Sequence, residues 1–150
     1  MNDSSGLNAQ EKQLVRQSFE SLEEYSDTAV RLFYGRLFEF APPLRGLFKV
    51  DLREQARKLH DMLATIVSTL DRFDELRPVL ADLGRRHVAY GALPEHYDAL
   101  RTALLWALGQ ALNAEFDAPT KAAWDQLLRS VSSAMLQGAE DPSVAKFVPK

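Results

Sequence analysis

Apolar residues recur three and four positions apart along most of the chain, and few segments alternate in the manner of a strand. The first stripe is Leu14, Val15, Ser18, Phe19 and Leu22. It predicts a helix starting near Ala9, with Asn8 as cap and Glu11 completing a capping box. A second helix is expected over 27–39, with Val30, Phe33, Tyr34, Leu37 and Phe38 facing inward. Pro42 and Pro43 stop it, and a helical corner over 44–48 follows. Asp51, with Glu54 three residues on, caps a long third helix whose inward face should carry Gln55, Lys58, Leu59, Met62, Ile66 and Leu70. A fourth begins near Glu75, holds Pro78 in its first turns, and ends at Gly91. Pro94 opens a fifth that runs to Leu112, where Asn113 terminates it. The last helix starts at Asp117 and Pro119 and reaches Gln137, with Gly138, Asp141 and Pro142 marking its end.

These elements predict an all-α protein. Its 150 residues suit one domain, 1–150, with a core over about 8–140 and a loose C-terminal tail. The unequal helices and the proline corner favour crossed helices over a regular four-helix bundle. Apolar residues make up 46% and charged residues 26%, the composition of a globular protein. The net charge of −3 and pI near 5.6 give no footprint for nucleic acid or an acidic membrane surface. The chain has no cysteine. That excludes a disulfide framework, a zinc–thiolate site, an iron–sulfur cluster and a covalently tethered haem. No stretch of about 20 apolar residues occurs, and residues 1–6 lack the form of a signal peptide, so a cytoplasmic location is expected.

Candidate chemistry centres on the histidines: His60, His87 and His96. His87 shares a helical stripe with Leu80, Leu83 and Tyr90. A lone histidine on an apolar face reads first as a core residue, since histidine is intermediate in burial. Its surroundings add a second reading. A glycine turn follows it at Gly91, and Tyr97 comes ten residues after it. Upstream, Phe33-Tyr34 precedes Pro42-Pro43, and Phe48 falls fourteen residues after Tyr34.

With this set of residues in this order, the sequence resembles the bacterial single-domain haemoglobins and the globin domain of the flavohaemoglobins. The resemblance covers about residues 8–140. It implies a globin fold, with crossed helices around a haem pocket, and non-covalent haem b as cofactor. It implies His87 as the proximal iron ligand, its second ring nitrogen bonded to an acceptor such as the Leu83 carbonyl. It implies Phe48 against the porphyrin and Tyr34 as a distal donor to bound gas. Met62, Ile66, Leu83, Tyr97 and Leu100 are the remaining candidates to touch haem. For the wall residues, pocket lining and ordinary core packing read alike in a sequence.

Lys58, ten residues after Phe48, stands where close relatives usually carry glutamine. Three readings are open: its ammonium snorkels to a haem propionate or water, it donates to bound ligand, or it ligates iron as a neutral amine. The last requires a drop from a pKa near 10.4, at a cost of roughly 4–5 kcal/mol. His60 lies about 200° round the helix from Lys58 and should point away. His96 should be exposed. Arg57, Arg85 and Arg86 read as a solvated face or as propionate partners.

The resemblance also implies a tyrosine and a glutamate linked to the proximal histidine, and Tyr97 matches that tyrosine. The glutamate falls on Ala139, with Glu140 one residue along, about 100° round a helix. That tilts the expectation from fast catalysis to ligand binding. The expected function is reversible binding of dioxygen, nitric oxide or carbon monoxide, with nitric oxide dioxygenation conceivable through a separate reductase. The alternative is a redox or ligand sensor closed at rest by Lys58. No glycine-rich phosphate loop, hydrolase triad or carboxylate–histidine cluster occurs.

Overall fold

The computed structural model describes residues 5–47, 52–89 and 93–139. The chain forms six α-helices among them: α1 Ala9–Leu22, α2 Ser26–Phe40, α3 Leu52–Ser68, α4 Phe73–Ala89, α5 Pro94–Leu112 and α6 Ala118–Ala139. Single 3-10 turns cover Glu23–Tyr25, Pro42–Leu47, Leu70–Arg72 and Asn113–Glu115. There is no strand among the described residues. The expected caps at Asp51 and Gly91 and the expected tail lie outside those residues, as does Phe48.

Local chemistry sets most helix ends. Asn8 Oδ1 accepts from the Glu11 N–H at 2.8 Å, and Glu11 Oε1 accepts from the Asn8 N–H at 3.0 Å, the reciprocal box expected there. Ala41, before Pro42, leaves helical geometry with φ −140°, as crowding by the proline ring requires. Asp117 Oδ1 accepts from the Thr120 N–H and starts α6. Asn113 takes φ 53°, a left-handed turn that ends α5. At the start of α5 the cap comes from an unexpected residue. His96 Nδ1 accepts from the Leu93 N–H at 3.0 Å, so His96 is half-buried and engaged rather than simply exposed.

Two helix ends depart from the sequence-based expectation, and packing decides both. Helix α4 begins at Phe73 rather than Glu75, because the Phe73 ring is buried against the core. Helix α6 continues through Gly138 to Ala139. Gly138 is no terminator here; it lies against the backbone of α4 at Ala81. Pro78 sits inside α4 and forgoes one helical hydrogen bond.

The core has two adjoining parts. The larger joins α1, α3, α4, α5 and α6 around Val15, Phe73, Leu80, Leu108, Trp124 and Leu127. The smaller joins α2 and α5 around Phe33, Tyr34, Leu37, Leu44, Ala103 and Ala107. Leu59 and Leu104 pack against both. Along α2, Arg36 lies between the Phe40 and Trp106 rings, 4.8 and 4.9 Å from their centroids, in cation–π contacts that tie α2 to α5. Trp106 is half-buried there, against the smaller core.

Trp124 is fully buried, so its indole N–H needs a partner inside the protein. Ser18 supplies it, accepting at 2.8 Å while donating its own hydroxyl to the Leu14 carbonyl at 2.7 Å. A polar residue on an apolar stripe is thus explained by a tryptophan 106 residues away. Replacing Ser18 by Ala strands that N–H. Ser18→Ala should cost about 1–3 kcal/mol of stability in urea unfolding, and Trp124→Phe in the same background should lose little more. A wild-type midpoint for Ser18→Ala would refute the role given to this bond.

Candidate functional site

Helix α4 presents His87 in its last turns. The His87 Nδ1 lies 2.7 Å from the Leu83 carbonyl oxygen, one turn back. A carbonyl can only accept, so Nδ1 carries the proton of the neutral ring. The lone pair then sits on Nε2, the arrangement a metal-binding imidazole needs. Burial pulls the His87 pKa below its usual 6.5, and the Leu83 bond offsets only part of that. The larger effect, burial, keeps the ring neutral at pH 7 and ready to act as a ligand.

Tyr34 on α2 is 7% exposed. Its ring meets Phe33 at 4.9 Å and Phe38 at 6.1 Å. Burial raises its pKa to about 12. The phenol therefore keeps its proton across the physiological range and can serve as a donor.

Tyr97, in the first turn of α5, is 8% exposed, and its hydroxyl is buried with no hydrogen-bond partner among the described residues. Burial raises its pKa too. An unpaired buried hydroxyl is costly, and such atoms concentrate where a group beyond the protein chain completes the bonding. Ala139, where a carboxylate partner would stand, ends α6 with a methyl group. Of the wall candidates, Ile66 is buried, while Met62, Leu83 and Leu100 are half-buried. Met62, Ile66, Leu83 and Tyr97 belong to the larger core; Leu100 joins Tyr34 in the smaller one. Phe48 lies outside the described residues.

Lys58 does not face the core as the helix phase predicted; its side chain is exposed. The reason is angular. The buried stripe of α3 runs through Leu63, Ile66 and Val67, and Lys58 projects about 130° from its centre. His60 does point elsewhere. Its ring stacks on Phe19 of α1 at 5.7 Å, with Nε2 3.4 Å from Glu23 and Nδ1 3.7 Å from Asp61. The basic residues pair locally: Arg86 reaches Asp82 at 2.8 Å, Arg85 the same carboxylate at 3.9 Å, and Arg57 Glu54 at 3.8 Å. Exposed pairs of this kind add little.

Beneath His60, helices α1, α2, α3 and α5 line a partly open apolar pocket of about 20 Å³. Phe19, Ala29, Phe33, Leu63 and Ala107 form much of its wall. That is room for one water-sized molecule, in a lining that gives water almost no partner. Neither the cavity nor the Phe19–His60 stack was legible beforehand, because each joins helices far apart in sequence. No group of three or more acidic or histidine residues among the described ones could hold a bare metal ion. No helix there is long and apolar enough to cross a membrane.

The comparisons agree with this architecture. The Globin family model matches residues 31–135, more than half of the chain. Neuroglobin from Chaenocephalus aceratus is 30% identical over 146 residues, spanning 88% of this chain and 92% of the relative. Neuroglobin from Dissostichus mawsoni is also 30% identical over the same extent. A solved bacterial globin from Campylobacter jejuni superposes with a TM-score of 0.78 at 19% identity, covering 89% of this chain and 96% of that one. The chain belongs to the globin family, and the expected all-α globin fold is the one it has. Its family is one of haem-binding proteins that take up small gaseous ligands.

The neutral ring of His87 has a titration consequence. A histidine with a lowered folded pKa favours folding above the unfolded value and loses that contribution as pH falls through about 6.5. In the haem-free protein, an NMR titration should place the His87 midpoint below 6.5. A midpoint above that value would mean the ring is not buried as described.

Proposed function

We propose that this chain, as one globin domain, binds haem b non-covalently and takes up dioxygen, nitric oxide and carbon monoxide reversibly. The observation that carries the reading is the His87 Nδ1 to Leu83 carbonyl bond. It fixes the neutral Nδ1–H tautomer of a largely buried ring in the last turns of α4, the tautomer in which Nε2 carries the lone pair a metal ion takes. Bound haem would supply an iron with an open coordination position for a diatomic gas.

The chain's own residues do the rest. His87 holds the ligand nitrogen neutral and fixes its ring orientation through Leu83. Tyr34 keeps a phenolic proton on a rigid aromatic support between Phe33 and Phe38. That makes it the donor toward a ligand that gains negative charge on binding, as dioxygen does. Met62, Ile66, Leu83 and Leu100 supply apolar wall, and Phe48 is assigned the edge of the pocket by family resemblance. Tyr97's unpaired hydroxyl belongs on the side of His87. The apolar cavity behind Phe33 suits an uncharged diatomic and would not hold water well.

Nitric oxide dioxygenation with a separate reductase extends this reading. Ala139, the position that matches the family's glutamate, offers Tyr97 a methyl group, which favours ligand binding over rapid turnover. Lys58 is assigned a snorkelling or mobile role, because ligating iron would require its neutral amine. The sensor reading requires Lys58 to swing inward and lose its proton.

Haem titration of the purified chain should give a one-to-one complex whose ferrous spectrum shifts with oxygen and with carbon monoxide, and His87→Ala should abolish it. Absence of a haem spectrum would end this reading. Tyr34→Phe should speed oxygen release about tenfold, the worth of one lost hydrogen bond, with carbon monoxide release changing less. A six-coordinate spectrum without added ligand, lost on acidification and in Lys58→Ala, would transfer the assignment to the sensor.

A further inference from the structure

The helix that carries His87 lies on α6 with backbone touching backbone. A Cβ placed on Gly84 would fall onto the Met135 carbonyl, 2.6 Å from its carbon and 2.8 Å from its Cα. A Cβ on Gly138 would fall onto the Ala81 carbonyl, 2.5 Å from its Cα and 2.6 Å from its carbon. The contact is reciprocal: each helix presents its glycine to the other's main chain. Such contacts are beyond what side-chain adjustment can relieve, because the obstructing atoms are backbone. The Arg77 guanidinium donates to Gln137 Oε1 at 2.8 Å across the same seam, which limits sliding along it.

The seam is tied to the ligand nitrogen through a short chain of atoms. The stretch pressed against α6 runs from Ala81 to Gly84. Leu83 lies within it, and the Leu83 carbonyl is the acceptor that orients the His87 ring. Gly84 is three residues before His87, so the contact with α6 and the imidazole lie within about 60° of each other round the helix. A shift of α4 away from α6 therefore moves both the Cα of His87 and the group that aims its ring.

We infer that Gly84 and Gly138 are positioning residues: their missing side chains set the depth and tilt at which His87 meets the iron. This rests on the reading of His87 as the iron ligand. Substitution at either glycine forces α4 off α6 and strains or lengthens the bond to the histidine. Gly35, on α2, is the internal control, since nothing lies within 4 Å of a Cβ placed there.

The test is resonance Raman spectroscopy of the ferrous, gas-free holoprotein, reading the iron–histidine stretch, together with the rate of haem transfer to an excess of an acceptor apoprotein. Gly138→Ala and Gly84→Ala should shift the stretch and speed haem loss at least severalfold; Gly35→Ala should leave both at wild-type values. The deciding comparison frees the ligand from the helix. In His87→Gly protein supplied with imidazole, adding Gly138→Ala should leave the iron–imidazole stretch where it was, because the imidazole is no longer carried by α4. A shift that persists there, or no shift in the tethered protein, overturns the inference. If Gly138→Ala alone fails to retain haem, uptake restored by His87→Gly with imidazole in the same chain supports it. Continued failure with imidazole present shows that the seam serves folding only and overturns it. Were the wild-type protein to show no iron–histidine stretch at all, the assignment of His87 would fall first and this inference with it.

Discussion

Helices α4 and α6 can lie backbone to backbone only because neither Gly84 nor Gly138 carries a Cβ. That close approach organises the rest of the molecule. Helix α6 is the buried axis of the larger core, with Ala123, Trp124 and Leu127 sealed from solvent, and it also meets α1 and α5. Helix α4 leans chiefly on α6, so its placement is inherited from that axis. A methyl group at the crossing would have to be accommodated by moving a whole helix, since interiors are packed too tightly to absorb it locally.

Polar groups in the interior divide into those the fold satisfies and those it leaves open. The Trp124 indole is satisfied by Ser18, and Ser18 in turn by Leu14. The His87 Nδ1 is committed to the Leu83 carbonyl, which fixes the tautomer of the ring. The Tyr97 hydroxyl finds no partner among the described residues. The protonated phenol of Tyr34 sits in an aromatic setting that disfavours its anion. A buried hydroxyl left open at Tyr97 is energetically sensible where another group finishes its bonding, and that supports regarding this region as a binding site.

The α1–α3 side of the molecule follows a different logic. His60 closes over Phe19 between two carboxylates, and the small side chains of Ala29 and Ala107 leave apolar space beneath it. Lys58, only two residues away, projects to the exposed side of the same helix. Two positions on one helix thus face an apolar pocket and solvent, since two residues step about 200° round it.

The sequence by itself determined the helices, because a period of three to four, a capping box at Asn8 and proline corners are local signals that act within one or two turns. It also marked His87, Tyr34 and Tyr97 through spacing shared with a known family. Position on the sequence did not reveal that Ser18 serves Trp124, that His60 stacks on Phe19, or that Lys58 stays out of the core. Each of these depends on where two distant helices cross, which no local window encodes. Gly138 shows the difference most plainly. As a letter in the chain, a glycine near the end of an apolar run reads as a stop signal. Only the tertiary structure shows that it continues the helix, because the space its side chain would fill is already taken by the backbone of α4.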